Sequence, residues 1–303
     1  MRRVKSVASL RAELDDRVGA RADILGSMLG VKVRDGRATD QVGITYFVRE
    51  KVPKAELSPR KRIPMSLRVG DQVVKTDVIA WPRMAEQALQ AAPTIVSDGR
   101  TQGTLSCFAL SSRTLFGITC AHCLEGMDQN PATPTPVVYY GAGNTWLPTG
   151  QSIYLAYSPG TAMSGDFGYL DCGLFELRDA VLAARARASK VIRVVVDLHS
   201  LVNQDVFGFS PLEPTGSSSP VRKARVLGVE AVAMGERCDV VLNVDPPGTF
   251  KGDSGILWIT QDGRAAALHA RGEIMAGMQG SRMTSAMSAR RVSESLGSQL
   301  LVG

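Results

Sequence analysis

The sequence predicts a mainly β protein led by a small α/β unit. From Ile95 onward, short apolar runs alternate with clusters of Gly, Pro, Ser and Asn, as in an antiparallel sandwich or barrel. Before residue 85, one stretch of helical periodicity is followed by strands and tight turns. Trp81-Pro82 and the Ala-rich stretch to Pro93 then read as a connection. The expected division is an α/β unit over 1–85, a linker over 86–94 and a β domain over 95–303 with a closing C-terminal helix.

In the first unit, Val7, Leu10, Leu14, Val18, Leu25 and Met28 or Leu29 keep three- to four-residue spacing, which predicts a helix over 6–29. Ser6 or Ser9 could cap it and Gly30 end it. Val31–Val33 reads as a short strand, Asp35-Gly36 as a tight turn, and Val42, Ile44, Tyr46 and Val48 as an alternating strand. Gly70-Asp71 separates the arms of a second hairpin. In the β domain, residues 177–190 read as a helical turn or a crossing segment, 210–220 as a loop, and 292–301 as the closing helix.

The 303 residues suffice for about two domains. No apolar run approaches the roughly 18 residues of a membrane span, so no membrane partner is expected. Met1-Arg-Arg has no apolar segment behind it, so no secretory signal is expected. Five cysteines make a poor disulfide framework, and reduced thiols in the cytoplasm are the simpler expectation. The net charge of +6 is modest. Lys51, Lys54, Arg60, Lys61 and Arg62 crowd one Pro-interrupted stretch with no aromatic platform among them, as in a solvated connection rather than a nucleic-acid surface.

The chemistry concentrates in two strings. His122, one of three histidines, ends an apolar run, Leu115-Phe-Gly-Ile-Thr, with Ala121 before it and Cys123 after. Ser254 sits in Gly252-Asp253-Ser254-Gly255, ahead of the apolar run from Ile256. A hydroxyl becomes a nucleophile when a base takes its proton and backbone N–H groups hold the oxyanion. His122 fits the base, and the N–H groups of Gly252 and Ser254 fit the oxyanion hole. An acid must orient the imidazole. Asp171, opening Asp-Cys-Gly-Leu-Phe, sits in a strand-like run; Asp166, in a turn composition, is the other candidate. Cys120-Ala-His-Cys123 has the spacing of a metal or redox motif, but no second pair completes four ligands, and no metal or other cofactor is expected.

The order His122, Asp171, Ser254, with Thr119-Cys-Ala-His122-Cys123 and Gly252-Asp-Ser254-Gly255, resembles the trypsin/chymotrypsin-like serine proteases over residues 95–300. The resemblance implies two antiparallel β-barrels with the triad in the cleft between them, and a serine endopeptidase acting on protein or peptide substrates. It places Gly248 at the floor of the specificity pocket. Ala265-Ala-Ala-Leu-His269-Ala-Arg271-Gly272 is similar to the pocket string of glutamyl endopeptidases, which implies that His269, with Arg271, favours an acidic or polar residue before the cut. The other reading of His269 is a packed core histidine. Cys107 and Cys123 match the position of a family disulfide, expected here as thiols.

Val42-Gly-Ile-Thr-Tyr-Phe-Val resembles the leader domain of proteases related to the Narrow Leaf protein, which implies an intracellular protease and a homo-oligomer; the extra domain itself suggests an activating partner bound through the N-terminal unit. No string of the Ile-Val-Gly-Gly type precedes the domain, so Asp253 gains no new amino terminus and control by other means is expected. The alternative function is a protease-fold scaffold or partner-activated regulatory protein with little intrinsic turnover.

Overall fold

The computed structural model describes Leu14, Val18 and residues 24–34, 37–69, 72–81, 84–86, 96–126, 133–141, 145–158, 169–210, 220–233, 236–273 and 280–302. Leu14 and Val18 have helical backbone and are buried against Ile44 and Tyr46, one face of the expected helix. The helix does not reach residue 29. Strand β1 (Ile24–Arg34) begins instead. Glycine costs about 1 kcal/mol in a helix relative to alanine, and two fall here. Each is needed by the sheet: a Cβ on Gly26 would lie 1.6 Å from the Val232 carbonyl oxygen, and one on Gly30 2.4 Å from that of Leu227.

Arg34 of β1 pairs with Arg37 of β2 (Arg37–Val48); the expected Asp35-Gly36 turn between them lies outside the described residues. The hairpin of β3 (Ser66–Val69) and β4 (Gln72–Ala80) follows, with β4 parallel to β2. Alternation in β2 is blurred because both its faces are covered. Ile44 and Tyr46 meet the helical residues, while Phe47 packs in the main core and against Trp81, ring centroids 4.4 Å apart. Lys51 and Lys54 lie in an exposed connection, as expected.

The first half of the β domain is one curled sheet. It is built from β6 (Val96–Ser97), β7 (Gln102–Gly103), β8 (Cys107–Ser111), β9 (Thr114–Thr119), β10 (Pro136–Gly141), β11 (Thr145–Ser158), β12 (Leu170–Glu176) and β13 (Lys190–Val191). Helix α1 (Ala180–Ala188) settles the ambiguous 177–190 stretch. The Asp179 carboxylate caps it, accepting from the N–H groups of Val181 and Leu182 at 2.9 Å.

The second half closes into a six-stranded barrel. The ring runs β14 (Asp205–Phe209), β17 (Leu257–Thr260), β18 (Ala265–Glu273), β19 (Met283–Ser288), β16 (Glu236–Val244), β15 (Val221–Ala233) and back to β14. Val226, Val240, Ile256 and Trp258 fill it. β15 is long enough to pair with β14 near its start and with β1 near its end, so the N-terminal strands continue the barrel sheet.

Two expectations about connections change. The stretch read as linker holds a strand, β5 (Met84–Glu86), antiparallel to β18; residues 87–95 lie outside the described residues, as do 211–219 of the expected loop. At the C-terminus, helix α2 (Ala289–Ser295) starts earlier than 292 and ends early. Gly297, at φ +55°, stops it, and Leu300 and Leu301 enter β20 (Gln299–Val302), which pairs with β8. Arg291 holds α2 to the barrel through both oxygens of the buried Asp239 carboxylate, at 2.7 and 2.8 Å. Among the described residues, no helix is long and apolar enough to cross a membrane.

Candidate active site

β9 ends at Thr119, and a single 3-10 turn, Ala121–Cys123, then carries the buried His122. β12 pairs with β9, Gly173 opposite Thr119, which sets Asp171 beside that turn. His122 Nδ1 lies 2.5 Å from Asp171 Oδ2, and the His122 backbone N–H donates to Oδ1 at 3.0 Å. Both residues are buried. Burial opposes charge on each, yet the pair overcomes it. The Asp171 carboxylate drives His122 well above its ordinary value, and the His122 ring and N–H hold Asp171 below the usual carboxylate range. Asp166 lies outside the described residues.

Ser254 comes from the other half. Its turn needs glycine at two places: Gly252 and Gly255 both sit at φ +102°, and a Cβ on Gly255 would lie 2.1 Å from the Thr104 carbonyl oxygen. The turn is clamped from the first half by residues the sequence reading passed over. Thr104 N–H donates to the Ser254 carbonyl at 2.7 Å, the Thr104 hydroxyl donates to that of Gly252 at 2.9 Å, and Ser106 Oγ donates to that of Gly255. The cue was there in Thr104-Leu-Ser106, two hydroxyls spaced to face one way before an apolar strand.

Asp253 is buried beneath the turn. Its carboxylate accepts from the Ser210 hydroxyl at 2.5 Å and from Phe250 N–H at 2.9 Å, with the buried guanidinium of Arg222 behind Ser210. Burial pushes its carboxyl up to about 6, against the pull of these three groups. Ser210 and, behind it, Arg222 are thus the polar surroundings of Asp253. The signal for Arg222 was its parity: on β15 it shares the inward side with Ala224 and Val226.

The link between the two halves is open. The Ser254 hydroxyl donates to the Ala270 carbonyl oxygen at 3.2 Å, while His122 Nε2 is buried without a hydrogen-bond partner. A closed six-stranded barrel supplies the serine turn, and a curled sheet supplies the histidine and aspartate.

Its structural neighbours are chymotrypsin-like serine proteases. Thermobifida fusca Protease A is similar at 15% identity, with 66% of this chain and 92% of that one covered and a TM-score of 0.41. A glutamic acid specific serine protease, described as using a histidine triad in substrate binding, is similar at 13% identity, covering 68% and 97%, TM-score 0.41. An alpha-lytic protease homolog, N4, is similar at 15%, covering 69% and 97%, TM-score 0.42. Neither a protein-family model nor a curated protein matches the sequence.

Three residues were expected around a pocket: Gly248, His269 and Arg271. Gly248, at φ +88°, packs against the Ser281 backbone, 2.6 Å from where a Cβ would sit. His269 is fully buried, edge-on to Trp258 at 6.2 Å, and burial with the nearby His122 lowers it to about 3, so it is neutral at physiological pH. Arg271 lies over the Tyr169 ring, 4.2 Å from its centroid.

Ligand atoms of Cys120, His122 and Asp171 all fall within 4.8 Å of one another. A metal does not fit them. Ligands around a tetrahedral zinc stand roughly 3.3 Å apart, and the 2.5 Å between His122 Nδ1 and Asp171 Oδ2 leaves room only for a proton. The Cys120 thiol donates to the His269 carbonyl, and burial pushes the Cys107 thiol up to about 12. None of the five cysteines is joined in a disulfide.

Proposed function

We propose that the chain is a serine endopeptidase of the chymotrypsin-like kind. The observation that carries this reading is the doubly hydrogen-bonded His122–Asp171 pair, whose outer ring nitrogen, Nε2, is buried without a geometric hydrogen-bond partner. For that nitrogen to take the Ser254 proton, the hydroxyl must leave the Ala270 carbonyl for another staggered well. Catalytic hydrogen bonds are often long in unliganded enzymes and tighten with substrate.

In this mechanism Ser254 Oγ attacks the peptide carbonyl and His122 Nε2 takes its proton. The N–H groups of Gly252 and Ser254 hold the oxyanion, and Asp171 fixes the tautomer and steadies the imidazolium. His122 returns the proton to the leaving amine, the acyl-enzyme forms, and water repeats the sequence to free the acid. No cofactor takes part. The residue before the cut would be acidic or polar. A neutral His269 suits a hydrogen bond rather than an ion pair, Arg271 is the cation on the same strand, and Gly248 brings no acid to attract Lys or Arg. Five cysteines outside any disulfide suit a reducing compartment such as the cytoplasm.

Profiling the full chain on a peptide library tests both parts. Turnover lost in Ser254→Ala, with acidic or polar residues enriched before the cut, is the expected outcome. A preference for Lys or Arg would contradict the pocket assignment. The second reading, a scaffold or partner-activated protein with little turnover, is favoured by the Ser254–Ala270 hydrogen bond, which leaves the nucleophile turned away from its base. No hydrolysis of any library member would favour it.

A further inference from the structure

One edge of β18 belongs to β19, from Ala267 opposite Ser288 to Gly272 opposite Thr284. The other edge has three occupants in succession. β17 pairs along Ala265–Leu268. The serine turn comes next: Gly255 N–H donates to the His269 carbonyl at 2.8 Å, and Ser254 Oγ donates to that of Ala270. Beyond it lies β5, with Glu86 opposite Arg271, Ala85 opposite Gly272 and Met84 opposite Glu273. Gly272 faces both Thr284 and Ala85, so β5 is on the serine side.

The direction of β5 matters. As the chain advances from Met84 to Glu86, its partner falls from Glu273 to Arg271, towards Ala270 and the Ser254 hydroxyl. An extended peptide on this edge therefore sends its C-terminal side to the nucleophile. Strand addition of this kind draws affinity from main-chain hydrogen bonds and accepts many sequences. Three residues make a marginal strand, and among the described residues β5 has no hairpin partner: β4 before it pairs with β2 and β3, and β6 after it with β10 and β7.

We propose that Met84–Glu86, seated on the Arg271–Glu273 edge beside the Ser254 hydroxyl, is an autoinhibitory strand, so that an incoming extended peptide must displace the protein's own connecting segment. The proposal rests on Ser254 being the nucleophile of a peptidase. A tethered segment competes at an effective concentration of roughly millimolar, and the apparent affinity of a free peptide falls by the fraction of molecules with the edge open.

The test uses the full chain carrying Ser254→Ala, which needs no turnover, and a fluorescein-labelled peptide copying residues 83–87. Either Ala85 or its two neighbours donate to β18, so Ala85→Pro and Glu86→Pro between them remove a ladder donor. Fluorescence anisotropy should show at least about fivefold tighter binding in one of these variants than in Ser254→Ala alone. Unchanged affinity in both variants, or no binding by any of the three proteins, overturns the proposal. Amide exchange gives a reading independent of the peptide. It should quicken over 84–86 and 271–273 while β16 keeps its protection, and uniform exchange across the chain in both variants would overturn the proposal. Wild type that fails to react at Ser254 with an active-site phosphonate would defeat the peptidase reading, while these binding and exchange outcomes stay readable.

Discussion

The Asp171 carboxylate holds His122 at two points, the ring Nδ1 at 2.5 Å and the backbone N–H at 3.0 Å. The first fixes which ring nitrogen carries a proton, and the second fixes the turn on which the ring stands. A side chain held this way loses little freedom when substrate arrives, and its charge is set by the partner rather than by solvent.

The pH dependence of turnover follows from that pair. Asp171 raises His122 well above 6.5, and the imidazolium cannot take the Ser254 proton. kcat/KM should therefore rise with pH through a midpoint above 6.5, which reports the free enzyme. In Asp171→Asn the attraction is gone and burial remains, so the midpoint should move down. A midpoint at or below 6.5 in wild type would contradict the pairing.

Asp171→Asn should also lower kcat by about 10³- to 10⁴-fold, since the amide can leave the wrong tautomer at Nδ1. The circular dichroism spectrum should be unchanged. A loss under tenfold would mean that Asp171 serves the turn and not the ring.

Asp253 makes a prediction of the opposite sign. Its folded value, about 6, stands above the ordinary 3.8, so the folded state binds its proton more tightly than the unfolded chain does. The stability this group contributes is present below pH 3.8 and lost as pH rises through about 6. Asp253→Asn, which cannot ionise, should gain stability relative to wild type between pH 4.5 and pH 7.5 in urea unfolding. A constant difference across that range would refute the burial of an ionisable carboxyl.

The loss of Arg291 tests what holds α2 to the barrel. Arg291→Met leaves the buried Asp239 without its cation and should cost about 3–5 kcal/mol in urea unfolding. A cost under 1 kcal/mol would show that α2 is held by its apolar residues alone.

The parts of the site visible in the sequence were those whose chemistry is local. His122 at the end of an apolar run and Ser254 between glycines announce themselves, because a sharp turn needs Gly252 and Gly255 where any reader can see them. Asp171 was legible as a carboxylate in an apolar strand. Arg222 and Ser210 were not, because their meaning lies in contact with Asp253, reached only when β14 and β15 fold over the turn. The strand Ile24–Leu29 was misread for a related reason. Leu25 and Met28 are spaced as in a helix, but the glycines at 26 and 30 answer to β15, two hundred residues away. β5 had no local signal at all, since its pairing is set by a vacant edge of β18.

The most direct test is labelling by a fluorophosphonate. Wild-type full chain should be modified once, on Ser254, at a rate that rises with pH, and Ser254→Ala should remain unlabelled. Equal labelling of both proteins, or an unlabelled wild type that still hydrolyses peptides, would contradict the assignment of Ser254 as the nucleophile.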